Sequence, residues 1–312
     1  MPAAGSGYRT QQQGVALLTA ILITALVTVI AVAMASQQQL DIRRTANVLD
    51  GDRAYVFALG VESWARQILI SDQKNSQTDD LTEDWAVVLP PLTVEGATVM
   101  GHIEDMQGRF NLNDLVKNGK GSQPDIDRFR RLLDAVGLNP DLALAVVDWI
   151  DPDQNVSFPS GAEDTEYMSM NPPYRAANQP MVSPSELMLV KGFDAASYNK
   201  LAPLISTLPA YTTINVNTAP AEVLMALVPG LDSGTAKTIV SDAKNKGFGS
   251  VAEFQKEVGN LAVPTDAASV SSQYFLVWSD THFGRGQLQL YTLLSRSTSA
   301  AVTVLERSQG VY

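Results

Sequence analysis

A chain of 312 residues is long enough for one large domain or two ordinary ones beyond any membrane anchor. Its 45% hydrophobic and 18% charged residues are a globular composition, and a net charge of −11 argues against a nucleic-acid partner, whose phosphates need a basic surface. Cysteine is absent, which excludes thiolate catalysis, cysteine-based zinc sites and disulfides, and the two histidines, His102 and His282, lie far apart.

The chain opens with a polar segment, MPAAGSGYRTQQQG, whose only charged side chain is Arg9. Val15 to Ala35 then runs without a charge. As a helix it spans roughly 30 Å, the thickness of a bilayer core. A secretory signal peptide has a shorter apolar core followed by a small-x-small cleavage site, and Ala33-Met34-Ala35 fits that alternative. The polar start favours a cytoplasmic N-terminus with the remainder sent across the membrane. From Gln37 to about Ser71 there is no proline, and Leu40, Ala46, Leu49, Tyr55, Leu59, Val61, Trp64 and Ile68 recur at helical spacing. The expectation is one helix of more than fifty residues, apolar first and amphipathic afterwards, weakened but not ended by Gly51 and Gly60.

This construction resembles that of type IV pilins and of the pseudopilins of type II secretion. Those families carry a short leader ending in Gly, cut by a prepilin peptidase, and Gly14-Val15 resembles that junction. The resemblance implies processing at Gly14 and Val15, with the apolar run retained. Most members have a Glu at mature position five, where this chain has Thr19. In the family picture that Glu neutralises the N-terminal amine of a neighbouring subunit, since an unpaired charge in hydrocarbon is costly. A subunit with nothing stacked above it does not need the Glu. The chain is therefore similar to the protein K family of type II secretion, the largest minor pseudopilins.

Beyond the polar stretch 75–80, β-branched runs broken by Pro90-Pro91 and Gly96 predict strands near 93–95, 97–105 and 108–111. Residues 124 to about 263 change to helical patterns punctuated by Gly and Pro. After Ser269, QYFLVWSDTHF, QLQLYTLLSR and AAVTVLER read as three more strands, with Gly284-Arg285-Gly286 as a turn. The expected fold class is α+β: a pseudopilin fold, with the long N-terminal helix packed on a small antiparallel sheet, and a large all-α domain of helical hairpins inserted between strands. The expected divisions are a leader over 1–14, a transmembrane part over 15–35, pseudopilin body over 36–123 and 269–312, and the α-helical insert over 124–268.

Within the insert a short pattern repeats: Gly137-Leu138-Asn139, Gly192-Phe193-Asp194 and Gly230-Leu231-Asp232. Each Gly suits a left-handed helix end, and each Asn or Asp suits the start of the next helix. The third unit, Thr213 to Val240, resembles the helix-hairpin-helix of DNA-binding proteins, in which a Gly-apolar-Gly turn faces a phosphate. Here Asp232 occupies the second Gly position, and residues 209–260 carry four Lys against five acidic residues, with no Arg. The hairpin is expected; a nucleic-acid ligand is not.

Seven carboxylates and no Lys or Arg lie between Asp141 and Glu166, concentrated in DWIDPDQNVSFPSGAEDTEY. Crowded carboxylates repel, so this loop needs a cation or full solvation. Asp151-x-Asp153 resembles the opening of a calcium loop, but it is not an EF-hand, because Val156 and Ala162 stand at the positions of its Gly and Glu. Asp151 and Asp153 on one side and Glu163 and Asp164 on the other close a loop over 154–162, a hard-oxygen set that suits Ca²⁺ better than Mg²⁺. A solvated loop without metal and a carboxylate pair for hydrolysis are the alternatives. The resemblance supports calcium, since W-x-D-x-D and G-A-E-D look like the calcium-binding segment of protein K. It carries over Asp151, Asp153, Glu163 and Asp164, with Asp148 less firmly.

The resemblance also implies a non-enzymatic role at the tip of a periplasmic pseudopilus, in a protein held by a single span in the bacterial inner membrane. Its implied partners are the minor pseudopilins I and J, with pseudopilins H and G, the secretin and secreted cargo as further candidates. A minor tip pilin of a type IV pilus is the rival, although such pilins usually carry cysteines and lack inserted hairpins.

Overall fold

The computed structural model describes residues 13–297, 299 and 301–310. The leader expected over 1–14 lies outside the described residues up to Gln12. Helix α1, Gln13–Asn75, runs 63 residues without interruption through Gly14 and Val15. At 1.5 Å per residue it is roughly 95 Å long. Every residue from Val15 to Leu49 is exposed, and the apolar start of this helix is long enough to cross a membrane. Gly51 and Gly60 leave it unbroken.

Five strands form one antiparallel sheet in chain order: β1 (Leu89–Val94), β2 (Ala97–Asp105), β3 (Tyr274–Phe283), β4 (Gly286–Arg296) and β5 (Val302–Gln309). Strand β1 contains Pro90 and Pro91, which is tolerated because it is an edge strand. Of the strand expected over 108–111, Phe110–Asn111 are strand, paired in parallel with Ile205–Ser206, while Gly108 closes a 3-10 turn, Met106–Gly108. The Asp105 side chain accepts from the Gln107 N–H and so caps that turn, ending the strand there.

The C-terminal part of α1 lies on this sheet, with a phase that differs from the expected one. Ala54, Ala58, Val61, Ala65 and Leu69 are buried, while Leu40, Leu49 and Trp64 are exposed. Small residues face inward because helix and strand come very close. A Cβ on Gly101 of β2 would stand 2.6 Å from the Trp278 carbonyl oxygen and 3.1 Å from Val61 Cγ1. Burying each large apolar side chain of this interface, Leu69, Phe275 and Leu294 among them, stabilises the fold by about 1.5–3 kcal/mol. Glu62 is also buried there, its charge met by Arg307 of β5 at 2.6 and 2.9 Å.

The chain leaves the sheet at Asp105 and returns to the neighbouring strand at Tyr274. Between them stand seven α-helices among the described residues: α2 (Gln123–Ala135), α3 (Leu142–Ile150), α4 (Asp164–Tyr167), α5 (Ala195–Leu201), α6 (Ala221–Leu227), α7 (Ser233–Asn245) and α8 (Val251–Glu257). They share one large apolar core. Gly137, Gly192 and Gly230 all have positive φ, 70°, 88° and 84°, as left-handed helix ends require. Asn139 accepts from the Asp141 N–H, Asp194 forms a capping box with Ser197, and Asp232 accepts from the N–H groups of Gly234 and Thr235. The Asp232 carboxylate thus fills the turn that a phosphate occupies in DNA-binding hairpins. Before Gly192 the expected helix is a 3-10 segment, Pro184–Leu189, opened by a Ser183–Glu186 capping box.

A buried polar hub joins insert and body. Asp105 of β2 accepts from Thr218, Ser272 and Asn215 at 2.6, 2.7 and 2.9 Å. Arg296 of β4 spans Asp72 and Asp79, with Nη1 2.8 Å from Asp72 Oδ2 and Nη2 2.5 and 2.6 Å from the two Asp79 oxygens. The Asp79 carboxylate in turn accepts from the Ser272 N–H at 2.7 Å.

A second buried acid has a pH consequence. Desolvation, with Asp125 nearby, pushes Asp114 up to about 8. Its oxygens accept from Asn111 at 2.8 Å and from Thr212 at 3.3 Å. An acid whose pKa is higher folded than unfolded (about 3.9) stabilises most below the unfolded value. That contribution is lost as pH rises through the folded value. Asp114→Asn, which cannot ionise, should therefore gain on the wild type in chemical melts between pH 4 and 8 and level off above. A difference that shrank with rising pH would contradict a protonated Asp114.

Candidate metal centre

The site forms where α3 ends. Asp148 is in its last turn, Asp151 is its C-cap residue, and the chain loops out through Asp153 before Glu163 stands at the N-cap position of α4, its side chain making no cap hydrogen bond. Asp148 and Asp151 are three residues apart, so they project from the same side of the helix end. The loop is tethered back on itself. The Ser157 N–H donates to Asp148 Oδ2 at 2.9 Å and the Gly161 N–H to the Ser157 carbonyl at 2.7 Å. Only glycine fits at 161, because a Cβ there would stand 2.1 Å from Asp148 Oδ2.

Asp151, Asp153 and Glu163 each place a carboxylate oxygen within 4.8 Å of the others. Asp151 and Glu163 are 6% and 2% exposed, so their charges have lost most of their water. Yet Asp148 Oδ1, Asp151 Oδ1 and both Glu163 oxygens are buried and accept no hydrogen bond from the protein. Burial, reinforced by the neighbouring carboxylates, pushes Asp151 up to about 6 and Glu163 up to about 7, and burial raises Asp148 as well. Buried acceptors without donors are costly, and carboxylates this close cannot all ionise unless a cation joins them.

Of the four residues read from the sequence, three converge in this way. Asp164 has a different part. Its Oδ1 accepts from the Ala176 N–H at 3.0 Å and Oδ2 faces Arg175 Nε at 3.9 Å, so it braces the returning chain beside Glu163. Asp148 stands outside that trio but leaves Oδ1 buried and unpaired, near enough to raise both Asp151 and Glu163. The signal for it was present in the helical spacing of Asp148 and Asp151. Asp153 is exposed, with Oδ1 accepting from the Asn155 N–H and Nδ2 at 2.8 Å.

The donor set fits a hard cation. Ca²⁺ takes six to eight oxygens in a flexible shell, whereas Mg²⁺ keeps most of its water. Asp148, Asp151, Asp153 and Glu163 would hold such an ion, and its charge would answer the unpaired oxygens. The aromatic group of Trp149, Tyr167 and Tyr174 packs beside it, Trp149 and Tyr167 edge to face at 5.1 Å. A second acidic group, Asp72, Asp79 and Glu83, has a similar spacing but the opposite electrostatics. Arg296 already supplies its positive charge, and Trp85 Nε1 donates to Glu83 at 2.8 Å. That group needs no cation.

Two family models, both described as type II secretion system (T2SS), protein K, match residues 108–210 and 214–273. Type II secretion system protein K of Pseudomonas aeruginosa is 36% identical, the alignment covering 97% of this chain and 94% of that protein. The Klebsiella pneumoniae protein of the same name is 33% identical, with 97% and 98% covered. Among solved structures, a chain of the GspK-GspI-GspJ complex from enterotoxigenic Escherichia coli superposes with a TM-score of 0.77 at 26% identity. That match covers 86% of this chain and all of the other.

Proposed function

Because the chain belongs to the type II secretion system protein K family, we propose that it is a non-enzymatic minor pseudopilin sitting at the tip of a periplasmic pseudopilus. The observation that carries this reading is the position of the insert. More than 160 residues leave the sheet between two neighbouring strands, at Asp105, and return at Tyr274. A body widened in this way obstructs stacking of another subunit on top, while α1 stays free along its exposed half for packing beneath. Thr19 agrees, since its hydroxyl is satisfied within the helix by the Ala16 carbonyl at 3.0 Å and offers no charge to an amine above. The partners we propose are pseudopilins I and J, by likeness to the E. coli complex, with the apolar part of α1 as inner-membrane anchor before assembly.

Processing tests this first. The N-terminal residue of the protein purified from cells with the prepilin peptidase should be Val15, and without the peptidase the leader should remain. A chain cut instead after Ala35 in both strains would make the apolar run a signal peptide and remove the anchor. Co-purification with I and J, lost on deleting residues of the exposed α1 face, tests the tip assembly.

We propose further that Ca²⁺ is the structural ion of the acidic loop, bound by Asp151, Asp153 and Glu163 with Asp148, and with Asp164 as the brace. The support is the set of orphaned buried oxygens and the raised carboxylates. The ion would pin a polar loop that has no apolar core of its own.

A further inference from the structure

The acidic loop carries an apolar crest. Phe158 is 91% exposed, more than any large apolar side chain in the bilayer-length run of α1, where Met34 reaches 69%. The other eight phenylalanines of the chain are buried or half-buried. Val156 and Pro159 flank Phe158 and are exposed as well, so only Ser157 interrupts the apolar stretch 156–159. The crest is fastened at both sides. The Ser157 N–H donates to Asp148 Oδ2 at 2.9 Å, and the Gly161 N–H closes the turn onto the Ser157 carbonyl at 2.7 Å. A Cβ at Gly161 would stand 2.4 Å from that carbonyl, so the turn is drawn tight over the end of α3. Phe158 is thus displayed on a fixed base, and an anchor held in place beforehand loses little freedom on binding.

The surroundings of the crest narrow what can cover it. Asp164 and Glu166 face Arg175 and Lys191, but Asp151, Asp153 and Glu163 are grouped only with one another and with Asp148. These four carboxylates stay net negative even around one divalent ion. A bilayer is a poor match, because anionic headgroups repel such a rim and one ring with one Val buries too little apolar surface to hold a membrane. A second copy of the chain is a poor match too. Its apolar hollow of about 310 Å³ between α1 and β1, lined by Trp64, Ile68 and Trp85, has Asp84 in its wall, so like charges would meet. The match for an aromatic anchor ringed by acids is an apolar pocket ringed by bases.

We infer that Phe158 is the anchor of a docking surface on the insert, seated in an apolar pocket rimmed by Lys or Arg on a different protein. This surface rests on the tethered turn and its charge, and does not depend on the tip position. The test uses the full-length protein in the cells it comes from, with a photoreactive benzoyl-phenylalanine in place of Val156. Irradiation should give one discrete adduct with another protein, mapped to the border of an apolar pocket that carries Lys or Arg. Adding Phe158→Ala should cut the yield at least about tenfold, the loss expected for an anchor residue. That variant should melt with the wild type, since the side chain touches so little of its own chain. In isolated envelopes, raising salt from about 0.1 to about 1 M should lower the yield by screening the two rims. The same photoreactive residue at Leu305, exposed on β5, should not give this adduct. The assignment is overturned if no protein adduct exceeds that at Leu305, if the adduct is a second copy or lipid alone, or if Phe158→Ala leaves the yield unchanged. It is equally overturned if the partner surface so mapped has no apolar pocket, or has one without basic residues.

Discussion

If Ca²⁺ holds the acidic loop as proposed, stripping it from the full-length protein with a chelator is expected to lower the melting temperature by roughly 5–10 °C. A ligand that binds only the folded chain stabilises it by about 2.7 kcal/mol at a free concentration one hundred times its Kd. A domain of this size shifts by about 2–4 °C per kcal/mol. The effect follows from the four buried carboxylate oxygens that lack a donor and from the absence of any Lys or Arg among residues 141–166. Re-adding Ca²⁺ should restore the midpoint, and Mg²⁺ at the same concentration should restore much less. Glu163→Gln removes a charge from a proposed ligand that is only 2% exposed. It should abolish most of the Ca²⁺ response while raising the metal-free midpoint, because the carboxylates that remain repel less. An unchanged melting temperature across chelation would sink the calcium assignment. A Ca²⁺ response kept in full by Glu163→Gln would move the ion away from this loop.

Replacing Arg296 by Met should destabilise the protein by about 3–5 kcal/mol, the cost of breaking a buried pair by removing one partner. Arg296 is 4% exposed, and its guanidinium meets Asp72, Asp79 and the carbonyl of Ser272. Without it, two carboxylates in the hub face each other and Glu83 with no cation. Burial and Glu83 already push Asp72 up to about 7 against the pull of Arg296, so its protonated form is within reach. Arg296→Met should accordingly be least destabilised at acid pH, where those carboxylates take up protons. The double variant Arg296→Met, Asp79→Asn should recover part of the loss, because it removes the unpaired charge along with its partner. Limited proteolysis is a second readout. The hub binds the insert to the sheet through Asp105, Asn215 and Ser272, so cleavage of the single variant should begin near residues 206–213 and 264–272. Wild-type melting behaviour in the single variant would show that the pair contributes no net stability.

Much of the candidate site was legible in the chain itself. Asp151, Asp153 and Glu163 stood out as acids with no compensating base within the same stretch, and the structure brings those three together. Asp164 was grouped with them by adjacency. Its separate part as a brace depends on the Ala176 N–H and Arg175, whose approach follows from the path of the chain after α4. Asp148 is the least firm of the residues the resemblance carries over, since an Asp is mostly exposed. Its burial came from the packing of α3 into the core.

The same division holds for α1. Its length and continuity were plain from a charge-free run followed by helical spacing without proline. Its buried face was not, because Leu, Trp and Ala all satisfy a helical period. The sheet meets α1 closely, Val61 Cγ1 lying 3.1 Å from where a Cβ on Gly101 would stand, and the face so covered carries Ala54, Ala58 and Ala65 while Trp64 is outside it.

By itself the sequence determined the membrane-length helix, the helix ends at Gly137, Gly192 and Gly230, the caps that follow them, and the acidity of the loop. These depend on forces acting within a few residues: hydrogen bonds of a cap, the steric freedom of a left-handed glycine, the repulsion of neighbouring acids. Only the tertiary structure decided which face of α1 is covered, which acids lose their water, and which keep a cation of the chain's own. Arg296 neutralises Asp79 across 217 residues, and Arg307 neutralises Glu62 across 245. No pattern in the intervening sequence announces such pairs, because desolvation and Coulomb attraction act through space once the sheet has brought the strands together.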